Sequence, residues 1–177
     1  MNTVLKRFAA FGLVLTAFLV TGCLIISGTF VIVKDFSFTS ATGFYHEHID
    51  LTSESEWNDH KDAIDAIDMV GFEFTFINSG AEVTFYVYID EGDAPTYTNY
   101  VDVNANATKI LDGLTLPAST TTTLTYAESF AYLTNVTALK KLVKSGTFHA
   151  YGVSTGGTSN YTIENGKVIV TFTAHGS

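Results

Sequence analysis

The stretch that most restricts this chain runs from Val70 to Ile89. Val70, Phe72, Phe74 and Phe76 alternate with Gly71, Glu73, Thr75 and Ile77. After Asn78-Ser79-Gly80, Val83, Phe85, Val87 and Ile89 alternate with Thr84, Tyr86 and Tyr88. Successive side chains on a strand point to opposite faces, so a two-residue period marks a pleated segment with one face in a core. Asn-Ser-Gly punctuates the pair as a turn. One hairpin is barely stable in water and needs further strands to cover its apolar face. The composition supplies them, with 14 Phe, 9 Tyr and only 2 Pro in 177 residues, side chains that suit a pleated, half-buried surface.

Further strands are predicted over Thr29–Thr39, bent near Lys34-Asp35, and over Gly43–Leu51. Weaker ones are expected near Tyr97–Val103, Thr108–Leu111 and Thr121–Tyr126, and a firmer one over Thr147–Val153. Tyr161–Glu164 and Lys167–Ala174 flank Asn165-Gly166, the strongest short hairpin signal. Two segments have helical spacing. Ser53–Ile67 places Trp57, Ile64 and Ile67 on one side, with Glu54 and Glu56 in the first turn. Ser129–Ser145 repeats Phe130, Leu133, Val136, Leu139, Leu142 and Val143 at three- and four-residue steps, and Asn135 can divide it into two short helices. About eight or nine short strands with regular turns predict a mainly β chain. The expected fold is an antiparallel immunoglobulin- or fibronectin-like β-sandwich with one or two short helices, preceded by an N-terminal signal helix.

That signal is read from the first residues. Lys6 and Arg7 precede an apolar run from Phe8 to Val20, and small residues follow before Cys23, the sole cysteine. Basic, apolar and small-residue regions in this order make a secretory signal. Val20-Thr21-Gly22-Cys23 resembles the lipobox of bacterial lipoproteins. The resemblance implies that the Cys23 thiol is diacylglycerated and that the chain is cut between Gly22 and Cys23. Residues 1–22 are then the signal, 23–28 a short lipidated tether and 29–177 the β-sandwich. The other reading of Phe8–Ile26 is an uncleaved membrane helix, since 19 residues approach the roughly 20 needed to span a bilayer.

Acylation of Cys23 leaves no thiol for a disulfide or a nucleophile, and the only cofactor implied is that covalent lipid. Loss of Lys6 and Arg7 with the signal takes the net charge from −9 to −11. So acidic a surface disfavours nucleic acid, which needs basic patches. The expected partners are the membrane, reached through the lipid, and envelope proteins or glycans. Leu24 stands where Asp would favour inner-membrane retention, so the lipoprotein resemblance implies the outer membrane in a two-membrane host. Only Leu24–Gly28 separates Cys23 from the first strand, a reach of at most about 18 Å.

From Val70 on, the order is strand, Asn78 turn, strand, Leu116-Pro117-Ala118-Ser119, a Thr-rich strand, a helix and Ser145-Gly146-Thr147-Phe148. This order resembles the LEA-type 2 (water-stress WHy) β-sandwich over about Asp68–Ala174. That resemblance implies a stress-protective role with no catalytic residues.

Candidate chemistry is sparse. His46 and His48 are two apart on a strand and share a face, as paired Zn²⁺ ligands do; His60 or Asp50 is a candidate third ligand. Two solvated histidines on an exposed strand face are the simpler reading. Asp59, Asp62, Asp65 and Asp68 step by three and drift round a helix surface. Asp102, Asn104 and Asn106 imitate a calcium loop, but Ala107 and Gly113 stand where Gly and Glu are needed. Asp90-Glu91-Gly92-Asp93 reads as a hydrophilic tip. Tyr86, Tyr88 and Trp57 are the aromatics available to stack a sugar, and core packing is the commoner use of such residues. No glycine-rich phosphate loop or nucleophile elbow occurs, so no catalytic residue is assigned.

Overall fold

The computed structural model describes residues 28–155 and 160–174. The signal, Gly22 and Cys23 lie outside these residues. Eight strands form the frame: β1 (Gly28–Ser40), β2 (Phe44–Asp50), β3 (Ile64–Asn78), β4 (Val83–Glu91), β5 (Thr108–Leu116), β6 (Thr121–Leu124), β7 (Thr147–Thr155) and β8 (Tyr161–Ala174). They build two antiparallel four-stranded sheets, β1-β8-β3-β6 and β2-β7-β4-β5, hereafter sheets A and B. The fold is the mainly β sandwich with few short helices that the alternation predicts. Its connectivity is more specific: every link except β4–β5 crosses between sheets, which is the strand order of a jelly roll.

The core lies between the sheets. Phe72, Phe74 and Phe76 of β3, Phe85 and Ile89 of β4, Phe148 of β7, and Val168, Val170 and Phe172 of β8 are all buried there. The Val70–Ile77 alternation thus faces sheet B, with Glu73 and Thr75 only partly covered on the outer side.

The helices are α1 (Ser55–His60), α2 (Tyr100–Asn106), α3 (Tyr126–Ser129) and α4 (Val136–Ser145). None of the helices of the described residues is long and apolar enough to cross a membrane. The division at Asn135 is the one found. Asn135 sits at φ 49° just before α4, and its amide donates to the Lys109 carbonyl. α4 ends on Gly146 at φ 89°, the left-handed stop that glycine provides.

Three expectations are corrected. The helix predicted over Ser53–Ile67 is only α1, followed by a 3₁₀ turn over Lys61–Ala63. Ile64 and Ile67 belong to β3, where register shifts fall between Ile64 and Ala66 and between Ile67 and Met69. Each bulge adds a residue, so the buried positions become Ile64, Ile67 and Val70, a three-residue step that imitates a helix. The strand predicted over Tyr97–Val103 is a loop and the start of α2. Asn99 caps it by accepting from the Asp102 N–H at 3.0 Å, and Val103 anchors it.

The third correction concerns Asn165-Gly166, which makes no hairpin. β8 runs unbroken through it, paired on both sides. Phe36 and Phe38 face Gly166 and Ile163, and Glu73 and Thr75 face Lys167 and Glu164. Both neighbours therefore skip one residue of β8. Asn165 adopts φ 51°, and a Cβ on Gly166 would lie 2.5 Å from the Phe36 ring. A left-handed Asn followed by a glycine under an aromatic ring serves a bulge as well as a turn.

Candidate functional site

Edge strand β2 brings two sets of functional side chains together, one on each face. Tyr45, Glu47 and Ile49 point between the sheets and line a cavity of about 60 Å³ with Phe36, Phe38 and Phe74. Its wall is otherwise apolar. The Phe38 and Tyr45 rings stack with centroids 3.5 Å apart and planes 1° from parallel, linking β1 to β2. The Tyr45 hydroxyl donates to the Glu47 carboxylate. Burial first, and then that carboxylate, push the Tyr45 phenol well above its ordinary range. Tyr45 therefore stays a neutral donor and Glu47 its acceptor.

The opposite face of β2 carries Phe44, His46 and His48. Register sets their neighbours: His48 faces His149 and His46 faces Tyr151 on β7, while His149 faces Asp90 and Tyr151 faces Tyr88 on β4. His46 Nε2 lies 2.8 Å from His149 Nδ1. The His48 and His149 ring centroids are 5.1 Å apart. His149 is only 6% exposed. It was not among the sequence candidates, because nothing short of the β2–β7 register sets it beside His46.

His46 and His48 do share a face. His60 is not with them: on α1 it lies against Phe30 at 3.8 Å and Phe172 at 6.2 Å. Asp50 instead accepts from the backbone N–H of Thr52 and caps a 3₁₀ turn. Among the described residues, no three His, Cys, Asp or Glu side chains are grouped to hold a metal ion.

The aromatic candidates are used in packing. Tyr88 is buried, and its hydroxyl bonds to Asn104 of α2 at 3.1 Å. Lys109 stands over the half-buried Tyr86 ring at 4.9 Å. Trp57 is 3% exposed and belongs to the core. Asp102, Asn104 and Asn106 sit on or at the end of α2, bonded within it and to Tyr88. Asp90 lies within β4, opposite His149, and accepts from the Glu91 N–H.

The histidine pair gives a pH prediction. Burial first, and then His149, hold the His46 imidazole below its ordinary value, with Glu47 opposing and His48 reinforcing. The folded state thus favours neutral His46, and the unfolded state takes up the proton first as pH falls. This contribution to stability is whole above the unfolded value of 6.5 and is lost as pH drops through the lower folded value. Thermal melts between about pH 8 and about pH 5 should fall more steeply for the native chain than for His46→Gln, which cannot titrate. Parallel curves would place the acid sensitivity elsewhere.

No protein-family profile matches the chain, and no curated protein matches it in sequence. Among solved structures it is similar to one described as Desmodium yellow mottle tymovirus. The identity is 13%, with 85% of this chain and 90% of that chain covered, at a TM-score of 0.39. It is also similar to a structure of infectious bursal disease virus, Gx strain, at 13% identity and a TM-score of 0.36. That match covers 85% of this chain but only 37% of the other. At such scores the likeness says nothing about what this chain does.

Proposed function

We propose that the chain is a lipid-anchored cell-envelope lipoprotein whose β-sandwich is a non-catalytic interaction or structural module. The observation that carries this reading is Val20-Thr21-Gly22-Cys23 at the end of a basic-then-apolar leader. Acylated Cys23 holds the module at the membrane, the outer one in a two-membrane host. Inhibiting lipoprotein signal peptidase in a bacterial host should make the precursor accumulate with residues 1–22 attached. Metabolic palmitate should label the native chain and not Cys23→Ala. Label retained on Cys23→Ala would overturn the reading.

The cavity between the sheets supports a second reading, a ligand-binding module. An apolar pocket with a few placed polar groups is the usual form of a small-molecule site, and here those groups are Tyr45 and Glu47. A ligand that binds only the native state raises its apparent stability. A thermal-shift panel of small apolar amines, oligosaccharides, Zn²⁺ and Ca²⁺ tests this, and a Glu47→Gln variant should lose any shift that depends on the carboxylate lining the cavity. No shift across the panel leaves the structural reading.

A further inference from the structure

The outer face of sheet A is divided into two unlike halves. Strand register sets its rows. Toward Ser40 and Asn78 they are threonine-rich, with the half-buried Ile77 the apolar exception: Thr39 Oγ1 lies 3.0 Å from Thr162 Oγ1, and Thr75 Oγ1 lies 3.4 Å from Thr123 Oγ1. The Lys167–Glu73 ion pair at 3.1 Å forms the border. Beyond it, toward Gly28, two rows are largely apolar before Thr29 faces Thr173 at the sheet end. Val33 faces Ile169, which faces Gly71; Val31 faces Thr171, which faces Met69. The Tyr126 ring lies over Gly71, where a Cβ would come within 2.5 Å of it. Phe130 extends the row, its ring 5.0 Å from that of Tyr126.

Val31 is 51% exposed, Val33 44%, Met69 46% and Phe130 41%. Among the described residues, the other large apolar side chains standing this far out, Tyr100, Val101 and Val136, belong to α2 and α4. One sheet end therefore holds the main exposed apolar group, and grouped exposure of this kind marks an interaction surface.

The place where β1 begins says what covers it. Val31 is three residues from Gly28, about 10 Å along a strand. Leu24, Ile25, Ile26 and Ser27 join Gly28 to Cys23, and such a link reaches at most about 18 Å. A module tied this closely to acyl chains cannot keep its β1 end far from the bilayer.

We propose that the apolar end of sheet A, centred on Val31, Val33, Met69 and Phe130, is a membrane-contact face that rests on the lipid surface beside the Cys23 anchor. This inference rests on the acylation reading above. The contact is made through apolar side chains: Asp35 and Asp68 flank the patch, with Lys140 against the Asp68 carbonyl, and cleavage of the signal leaves a net charge of −11. The surface it fits is accordingly zwitterionic, and the contact resists salt. The sandwich then stands with β1 down and the Thr-rich end of sheet A away from the bilayer.

The test uses the full-length chain, expressed in a lipoprotein-processing bacterium and reconstituted in phosphatidylcholine vesicles with lipids brominated near the top of the acyl chain. Acylation consumes the sole native thiol, so an introduced cysteine takes a fluorophore uniquely. Labels at Val31→Cys and Met69→Cys should be quenched at least about twofold more than labels at Thr123→Cys and Val101→Cys, because an apolar face settles about 5–10 Å into the interface. The difference should survive high salt. Vesicle flotation with equal, weak quenching at all four sites would overturn the contact face and leave the anchor standing. Failure of the native chain to float would overturn acylation, and the contact face with it. Crosslinking of two chains through Met69→Cys would assign the patch to a second copy and also overturn the proposal.

Discussion

Replacing Asn78 with Asp should cost roughly 3–5 kcal/mol, the range for leaving a buried charge without its partner. Asn78 is 2% exposed at the end of β3. Its amide nitrogen donates toward the carbonyls of Ala81 at 2.7 Å, Leu116 at 3.3 Å and Pro117 at 2.9 Å. Its amide oxygen accepts from the Gly80 N–H at 3.0 Å. One side chain thus ties the β3–β4 turn to the β5–β6 turn, reinforced by the Ser119 N–H donating to the Gly80 carbonyl. Asp keeps the shape and loses the donors, so a carboxylate oxygen faces carbonyl oxygens in a site closed to water. Asn78→Ala only removes the bonds and should cost about 1–3 kcal/mol. The two variants also part with pH. A carboxyl in this setting favours its neutral form when folded, so the folded state binds the extra proton and Asn78→Asp regains stability as pH falls through the carboxylate range. Urea unfolding at neutral and acidic pH measures both effects. An Asp variant no worse than the Ala variant at neutral pH would show that the turn opens to water.

Trp57→Ala is the second large effect, about 3–5 kcal/mol as for other buried aromatic truncations. Trp57 is buried on α1, and its indole lies 3.2 Å from where a Cβ of Gly146 would stand. Leu51, Leu142 and Val143 join it in the same core. The Leu51 N–H donates to the Gly146 carbonyl at 2.8 Å beside it. Trp57 is therefore the plug where the β2–β3 crossover meets the end of α4. It is the only tryptophan, so its emission should be blue-shifted in the native chain and report the docking of α1 directly. A loss under about 1 kcal/mol would mean that the crossover closes without it.

Much of the frame could be read in advance where one rule acted alone. The Phe72-Phe74-Phe76 and Val83-Phe85-Val87 alternations reported their strands because the extra residues of the register shifts there lie on the neighbouring strands, β8 and β5. A few residues earlier two bulges reset the parity, and Ile64 and Ile67 took on the spacing of a helix. Asn165-Gly166 failed for a related reason: a left-handed Asn followed by Gly is the chemistry of a tight hairpin and of a bulge alike, and only the neighbouring strands decide which forms. Tyr97–Val103 is rich in strand-favouring side chains, yet Asn99 caps a helix there because Val103 finds a dry place under it. The pairing of His46 and His48 was legible from a spacing of two. His149 and the exclusion of His60 were not, since both follow from which strand lies beside which. The jelly-roll order has the same origin, because crossovers between sheets leave no local mark.

The pairing of β1 with β8 has a consequence for how the molecule is made. Gly28 pairs with Ala174, and Tyr161 with Ser40, so the first strand finds its ladder in the last. β8 also supplies the long partner of β3. Sheet A consequently cannot assemble until nearly the whole polypeptide is available, whereas β4 and β5 of sheet B are neighbours along the chain and can pair early. Contacts so distant in sequence close slowly. A chain of this design remains without its finished sheet throughout synthesis, the condition in which a polypeptide can still be threaded through a narrow translocation pore.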